Sequence, residues 1–313
     1  MKERGALGVG ALGVGALGVG ALGVGAALGV TAAGSAALIG GKYRLLEPLA
    51  RGAMGTIWRA EHELLGTPVA VKLLDERGPL RVETRQRFLQ EARTAALLRG
   101  PHVVQLLDYG LDGETPYLVM ELLAGESLRQ RLARDGRLSR RETLRVVAQL
   151  AKALGRAEEL CIVHRDLSPN NVFLTEEDGK AVAKLLDFGI AKWASEAEPE
   201  RGLTLNGTIL GTPSYMSPEQ LEATGRLDGR ADIWALGVIA FECLLGHVPF
   251  QSSSFPGLVL AICSRPLPVP SRLAKLPQAF DAWFARACAR DRELRFASAE
   301  DAARELRRAL FGR

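Results

Sequence analysis

The sequence predicts an α+β protein of two lobes, in which a small antiparallel sheet with one helix precedes a larger, mainly helical lobe. Strand-like runs dominate after residue 43, helical patterns dominate after residue 124, and the 313 residues exceed what one ordinary core contains. A cleft between two lobes is the default place for a ligand. The same pattern therefore predicts a binding site where the lobes meet.

Residues 1–40 form a low-complexity segment that we expect to be a flexible tether. Gly-Ala-Leu-Gly-Val repeats from Gly5 to Val24 and then decays. A period of five fits neither a helix nor a strand, and so much glycine raises the entropic cost of any regular element. The alternative is a signal peptide or membrane anchor, because Lys2 and Arg4 precede a long uncharged run. Small side chains give that run little transfer energy, so a membrane partner is not expected.

The first lobe, about residues 43–124, is predicted to contain five strands and one helix. An amphipathic pattern places the helix at Thr84–Leu98. Apolar and β-branched runs between turn residues predict the strands. These lie at Tyr43–Ala50, Thr56–Ala60, Pro68–Leu74, Val103–Tyr109 and Pro116–Leu122.

The second lobe, about residues 125–313, is predicted to be mainly helical. Its first long helix is expected at Ser139–Glu159, where Ser139 and Glu142 form a capping box. The run Asp232–Leu245 is apolar on nearly every side and too short to span a bilayer, so we expect a helix buried at the centre of the lobe. Ser298–Leu310 is predicted to be the last capped helix.

Charge and cysteine patterns argue against several classes of protein. The 40 basic and 36 acidic residues are scattered, and no basic stripe with interleaved aromatic residues predicts a nucleic-acid partner. The four cysteines match neither a CxxC redox pair nor zinc-ligand spacing. We therefore expect reduced thiols in a cytosolic protein. They are Cys161, Cys243, Cys263 and Cys288.

Two segments of the first lobe are suited to hold phosphate groups. Lys72, in the strand Val69–Lys72, is placed to hold the α- and β-phosphates of a nucleotide, and Glu91 on the helix is its expected ion-pair partner. A glycine-containing turn between the first two strands lets backbone amides approach phosphate oxygens. Taken alone, these features equally suit a hairpin turn and two solvated charges. The turn residues are Leu49, Ala50, Arg51, Gly52, Ala53, Met54, Gly55, Thr56 and Ile57.

Two motifs of the second lobe end that ambiguity. They are His164–Asn171, which reads HRDLSPNN, and Asp187–Gly189, which reads DFG. Together with the glycine turn, the strand lysine, the helix glutamate and Ser217–Glu219, they stand in an order that resembles the protein kinase superfamily. The resemblance implies the bilobal protein-kinase fold for residues 43–313. It also implies transfer of the γ-phosphoryl group of ATP to serine or threonine hydroxyls of a protein.

The resemblance also implies a role for each catalytic side chain. Asp166 takes up the proton of the acceptor hydroxyl, and Lys72 with Glu91 aligns ATP. Asn171 and Asp187 hold two Mg²⁺ ions, with Mn²⁺ as the alternative ion.

The resemblance also implies roles for residues in and next to the connection between the lobes. Met120 lines the back of the adenine pocket, and backbone groups of Glu121 and Leu123 hydrogen-bond the adenine edge. Glu126 either reaches the ribose or is a solvated surface glutamate.

The segment Gly211–Gln220 is similar to the substrate-docking loop of bacterial, eukaryotic-like (Hanks-type) serine/threonine kinases. By resemblance, Thr212 bonds near the catalytic aspartate, Asp232 braces the catalytic loop, and Arg295 pairs with Glu219.

Two positions depart from the family pattern. Ala50 stands where the first loop glycine is usual, which costs little if its backbone φ is negative. Ser168 stands where family members acting on serine or threonine usually have a lysine that touches the γ-phosphate. On a missing-charge interpretation, Ser168 slows transfer and Ser168→Lys raises kcat. The alternative is that Ser168 merely fills a loop position.

Other functions remain as alternatives to a protein kinase. The main one is a pseudokinase, an ATP-binding scaffold without transfer activity, and the second is a small-molecule kinase of the aminoglycoside or choline type. If the chain is a kinase, we expect a signalling role, a cytoplasmic location where ATP is available, and a transient dimer for autophosphorylation. Thr204 and Thr208 are the expected autophosphorylation sites, because both lie between Asp187 and Glu219.

Overall fold

The computed structural model describes residues 38–52, 55–74, 82–188, 213–222 and 227–312, and for residues 82–84 the backbone only. Several predictions concern residues outside these ranges. They are the tether up to residue 37 and the roles of Ala53, Met54, Gly189, Thr204, Thr208, Gly211 and Thr212.

The first lobe contains the predicted antiparallel sheet and its helix. The strands follow in the order β1-β2-β3-β4-β6-β5, and every neighbouring pair is antiparallel. The helix α1 packs next to β5. The elements are β1 Leu38–Ile39, β2 Tyr43–Gly52, β3 Gly55–His62, β4 Pro68–Leu74, α1 Val82–Ala96, β5 Leu106–Asp112 and β6 Thr115–Glu121.

The strand β1 lies inside the segment assigned to the repeat. Ile39 is 4% exposed and pairs with Tyr43 of β2. Gly40 turns the chain with φ of +58°, and a Cβ atom at this position would lie 2.3 Å from the Tyr117 hydroxyl oxygen. The turn therefore needs glycine, and the first residues of the described chain belong to the sheet.

The strand predicted from Val103 begins later, at Leu106. The residues before it pair with the second lobe instead, because the Val104 N–H donates to the Leu185 carbonyl at 2.9 Å and the Leu185 N–H donates to the His102 carbonyl at 2.9 Å. These two hydrogen bonds connect the lobes behind the cleft.

The second lobe is built around the predicted buried helix. This helix, α5, spans Arg230–Leu245, and every residue from Ala231 to Leu244 is buried. Capping boxes and serine caps begin the neighbouring helices as expected: Ser139 and Glu142 cap α3, and Ser298 caps the last helix. The helices of this lobe are α2 Leu128–Asp135, α3 Arg140–Glu159, α4 Pro218–Leu221, α5 Arg230–Leu245, α6 Phe255–Ser264, α7 Pro270–Leu273, α8 Gln278–Ala287 and α9 Ala299–Phe311.

A small three-stranded sheet, which the sequence pattern did not predict, lies at the cleft side of this lobe. It consists of β7 Gly125–Ser127, β8 Val172–Glu177 and β9 Lys180–Leu185 in that order. The segment His164–Asn171 precedes β8, and Asp187 follows β9. The hairpin of β8 and β9 therefore determines where both motifs enter the cleft.

Neither a disulfide nor a membrane span occurs in the part of the chain that the structure describes. All four cysteines are free thiols, and burial raises the pKa of Cys243 and Cys288. None of the described helices is both long and apolar enough to cross a bilayer.

Candidate active site

A buried carboxylate holds the loop that carries Asp166. Asp232, near the start of α5, accepts the backbone N–H of His164 at 2.8 Å and that of Arg165 at 3.0 Å. Arg165 has φ of +63°, a strained conformation for a non-glycine residue that this bracing stabilises. The expected role of Asp232 as a brace is confirmed.

His164 links this loop to the segment that leads to Asp187. Its ring is fully buried, Nε2 lies 2.9 Å from the Leu186 carbonyl, and Nδ1 lies 3.3 Å from the Asp166 backbone nitrogen. A carbonyl can only accept, so Nε2 carries the proton and Nδ1 accepts the Asp166 N–H. The ring of Phe188 packs edge-on against His164, with centroids 4.8 Å apart. The two motifs are thus held together beneath the cleft.

Asn171 orients Asp166. The Asn171 side-chain amide Nδ2 donates to the Asp166 carbonyl at 2.8 Å and to its Oδ2 at 3.0 Å. Both bonds use the amide nitrogen, which leaves the amide oxygen as an acceptor for a cation. One Asp166 carboxylate oxygen is held in place by this contact, as a general base requires.

Lys72 forms its ion pair with Asp187 rather than with the expected Glu91. The Lys72 Nζ lies 2.6 Å from Asp187 Oδ2, and the lysine side chain is 7% exposed. Glu91 instead contacts Arg87, one turn earlier on α1, at 3.3 Å. The prediction of a Lys72–Glu91 pair is wrong for this structure, because the buried ammonium is neutralised by the carboxylate that β9 brings to it. Glu91 makes the i,i+4 contact that helix geometry offers.

The glycine turn is a hairpin between β2 and β3 whose two ends are described. Gly52 pairs with Gly55, and Ala50 pairs with Ile57. Gly55 has φ of +136°, and a Cβ atom there would lie 2.0 Å from the Leu73 carbonyl oxygen, so only glycine fits against β4. Ala50 is not among the described residues with positive φ, so alanine is unstrained at this position. Leu49 and Arg51 are exposed residues of β2 on the approach to this turn, and their contact with a nucleotide stays a prediction.

The connection between the lobes begins where β6 ends, at Glu121. Met120 is 7% exposed and pairs with Ala70. The Glu121 N–H donates to the Gln105 carbonyl at 3.0 Å, so an adenine edge would meet the Glu121 carbonyl rather than its amide. Leu123 follows in the connection, outside any helix or strand, and is partly exposed.

Lys184 is a residue of this region that sequence reasoning missed. Its Nζ lies 2.9 and 3.0 Å from the two Glu121 carboxylate oxygens and 2.9 Å from Glu177. Burial alone would lower the pKa of Lys184, but the hydrogen bonds to both glutamates outweigh it and raise the pKa. Glu126, the candidate ribose contact, pairs with Arg134 at 2.6 Å.

The described part of the docking segment is held by two buried charge networks. Arg295 donates to both carboxylate oxygens of Glu219, at 2.6 and 2.8 Å, which confirms this predicted pair. Tyr215 hydrogen-bonds Glu242 of α5, and Arg129 contacts both residues. Glu242 and Arg129 were missed, although a glutamate inside an apolar helix signals a buried partner.

The segment also contacts the catalytic loop directly. Gln220 donates from Nε2 to the Arg165 carbonyl at 2.8 Å. A small cavity beside Asp166 is lined by Tyr215, Met216 and Gln220. A peptide bound along this segment would therefore lie next to the candidate base.

The donor set suits a hard divalent cation. Asn171 and Asp187 offer an amide oxygen and a carboxylate, the ligand types that Mg²⁺ prefers. Among the described residues there is no group of three His, Cys, Asp or Glu side chains that could hold a metal by themselves. An ion here would need further oxygens from a substrate or from water.

Comparisons with known proteins agree with this geometry. A family model described as the protein kinase domain matches residues 43–277. The serine/threonine-protein kinase Pkn1 of Myxococcus xanthus is 40% identical over 260 residues, which cover 82% of this chain and 37% of that protein. PknH of Mycobacterium tuberculosis is 39% identical over 272 residues, which cover 86% and 42%. The chain thus spans about two fifths of the length of the curated relatives it matches.

Solved structures with a similar fold include the PknI kinase domain of Mycobacterium tuberculosis. The TM-score is 0.70 and the sequence identity is 28%, over 89% of this chain and 100% of that domain.

Proposed function

Because this chain belongs to the protein kinase family, we propose that it transfers the γ-phosphoryl group of ATP to serine or threonine hydroxyls of a protein. One observation carries the proposal. Lys72 from the sheet of the first lobe and Asp187 from the second lobe meet at 2.6 Å. Their contact brings the candidate phosphate-binding lysine to the motif that follows β9, in the same cleft as the Asp166–Asn171 pair.

Each of these residues has a separate task in the reaction. The acceptor hydroxyl loses its proton to the Asp166 carboxylate while its oxygen forms a bond to the γ-phosphorus. The bond from that phosphorus to the bridging oxygen breaks, and the electron pair leaves with ADP. Asn171 keeps the Asp166 carboxylate oriented, at 3.0 Å from Nδ2 to Oδ2. Lys72 supplies positive charge for the α- and β-phosphates.

Asn171 and Asp187 are the residues that would hold the metal ion. When bound, Mg²⁺ supplies charge neutralisation for the phosphate oxygens. We take Mg²⁺ as the physiological ion and Mn²⁺ as the alternative, to be compared directly in the transfer assay. Asp187 has to exchange Lys72 for the ion, because the same carboxylate now contacts the lysine.

The setting of the reaction is part of the proposal. We place it in the cytoplasm, where ATP is available, and expect a protein substrate and a role in signalling. A transient dimer would allow one copy to phosphorylate another. No nucleic-acid or membrane partner is proposed.

The deciding test is incubation with Mg-ATP and a general protein acceptor, with the modified residues identified by mass spectrometry. We expect phosphoserine or phosphothreonine with the unaltered chain and none with Asp187→Asn. The matched control is Asp178→Asn, the same chemical change at an exposed turn residue with φ of +50°, where asparagine is equally suited. Binding of ATP without transfer by the unaltered chain would instead support an ATP-binding scaffold.

A further inference from the structure

Gln220 uses both ends of its side-chain amide where the docking segment meets the catalytic loop. Its Oε1 accepts the Ser217 backbone N–H at 3.1 Å and the Ser217 hydroxyl at 3.2 Å, and its Nε2 donates to the Arg165 carbonyl at 2.8 Å. A backbone N–H can only donate and a carbonyl can only accept, so these partners determine which end of the amide faces which segment. The side chain therefore bridges the start of α4 and the residue before Asp166.

The Arg165 carbonyl belongs to the peptide unit that leads directly into Asp166. This unit is planar, so its carbonyl and the Asp166 N–H turn together. Gln220 holds the carbonyl, and Nδ1 of His164 accepts the N–H at 3.3 Å. Both hydrogen-bonding groups of the peptide unit are thus held, and together they set the direction in which Asp166 leaves the loop.

The catalytic loop needs this support because its backbone is strained at Arg165. The φ of +63° costs a non-glycine residue about 1–3 kcal/mol and persists only where surrounding contacts hold it. The bond from Gln220 is one of these contacts. It comes from the segment that lines the small cavity beside Asp166 together with Tyr215 and Met216.

We propose that Gln220 is a positioning residue, which fixes the peptide unit between Arg165 and Asp166 and so couples the docking segment to the orientation of the candidate base. This inference rests on the proposed function. A general base has to lie within hydrogen-bond reach of the proton it takes, and a misplacement of about 1 Å can cost about 100-fold in rate. Gln220 acts on the reaction only through Asp166. An acceptor hydroxyl bound along the docking segment thus meets a base whose direction the same segment maintains.

A simpler role for Gln220 would be to close the capping box of α4. A capping box takes glutamate as well as glutamine at this position, because it needs only a side-chain acceptor. The Arg165 carbonyl, in contrast, needs a donor, which an ionised carboxylate lacks. The two roles therefore predict different results for Gln220→Glu.

The experiment measures kcat and the KM for ATP at saturating acceptor over a range of pH. We expect Gln220→Glu to lower kcat about 10- to 100-fold at neutral pH and to leave the KM for ATP within about twofold. The ratio of its kcat to that of the unaltered chain should rise as the pH falls from about 8 to about 6, because protonation of the introduced carboxyl restores a donor and the neighbouring carbonyl raises its pKa. Gln220→Met keeps the length of the side chain without an ionisable group. Its kcat should fall by a similar factor, with a ratio that does not depend on pH.

Gln130 provides a matched control, because it closes the same kind of capping box at the start of α2. Its Oε1 accepts the Ser127 backbone N–H at 2.8 Å and the Ser127 hydroxyl at 3.1 Å, and its Nε2 donates no hydrogen bond within the described chain. Gln130→Glu should leave kcat and its pH dependence unchanged. All three variants should bind Mg-ATP as tightly as the unaltered chain, which shows that the cleft remains folded.

Three outcomes would count against the inference. An active unaltered chain whose Gln220→Glu variant keeps its kcat would reduce Gln220 to a cap and leave the proposed function standing. An equal loss in Gln220→Glu and Gln130→Glu, independent of pH, would attribute the effect to capping. An unaltered chain that binds Mg-ATP but transfers nothing would overturn the proposed function and this inference with it.

Discussion

Lys72 and Asp187 neutralise each other in an ion pair that nucleotide binding has to rearrange. A buried ammonium at 7% exposure needs a carboxylate or phosphate beside it. When Asp187 turns to a metal ion, the phosphates and another carboxylate have to replace it at Lys72. Glu91 on α1 is the carboxylate that the family pattern assigns to this task. We therefore expect the Lys72–Glu91 pair to form in the nucleotide-bound state.

The first residue-scale prediction tests that exchange. Glu91→Gln should lower kcat at least about tenfold, or about 1.4 kcal/mol, because it removes the replacement partner of Lys72. Arg87→Gln should change kcat less than about twofold, because an exposed i,i+4 pair is worth only about 0.3–0.5 kcal/mol and cannot hold Glu91 back. Steady-state kinetics of the two variants measures this. Equal rates for Glu91→Gln and the unaltered chain would show that Glu91 has no part in catalysis.

The second residue-scale prediction concerns Thr204 and Thr208, which lie outside the described residues. A phosphate on either would carry about −1.5 to −2 charges and could pair with Arg165, beside the candidate base. We expect autophosphorylation at these threonines, Thr204 first, and a higher transfer rate afterwards. Mass spectrometry and the rate before and after phosphatase treatment measure both effects. Full activity in the Thr204→Ala, Thr208→Ala double variant would refute this role.

At the scale of elements, a helix or strand could be predicted where the sequence pattern that specifies it lies within the element itself. Helices α3 and α9 were predicted from caps and apolar patterns within their own sequence, and α5 was predicted because its run is apolar on nearly every side. The hairpin of β8 and β9 was missed although the two-residue turn Asp178-Gly179, with φ of +50° and +71°, is a strong hairpin signal, because the flanking strands show little apolar alternation. The partner of Lys72 could not be predicted either, since it depends on how the lobes meet.

The ion pair between Arg295 and Glu219 connects three elements. It joins α4 to the segment before α9, and the Arg295 guanidinium also donates to the Arg230 carbonyl at 2.8 Å. The arginine side chain is fully buried. Burial alone would raise the pKa of Glu219, but the hydrogen bonds and charge of Arg295 outweigh it, so the pKa lies below its ordinary value of 4.5.

The element-scale prediction follows from this burial. Arg295→Met should lower the free energy of unfolding by about 3–5 kcal/mol, because Glu219 is left charged and unpaired. The double variant with Glu219→Gln should recover part of the loss. Since the folded pKa of Glu219 is lowered, its contribution is present above pH 4.5 and is lost as the pH falls through the folded value. Urea unfolding at several pH values measures both effects, and a pH-independent difference between Glu219→Gln and the unaltered chain would contradict the account.

At the scale of the whole molecule, the boundary between the repeat and the folded domain lies at residues 37 and 38, where the chain divides into two units. The sequence suggested a domain that starts at residue 43, because a strand of two residues carries no recognisable pattern. Yet Ile39 is 4% exposed, and Tyr43 donates to Asp108 at 2.9 Å. The beginning of the described chain is thus packed into the sheet of the first lobe.

The position of this boundary predicts different results for two deletions. Removing residues 5–37 should leave ATP affinity, transfer rate and the free energy of unfolding unchanged, because the sequence predicts a flexible tether there. Removing residues 5–40 takes β1 as well and should lower the free energy of unfolding by about 1.5–3 kcal/mol, the value of one buried isoleucine side chain. The affinity for ATP should survive this deletion, since β1 pairs only with β2 among the described strands.

Urea unfolding and an ATP titration of both truncated chains measure the difference. Equal stability of the two would mean that β1 contributes nothing, whereas loss of ATP binding on removing residues 5–37 alone would mean that the repeat takes part in the site.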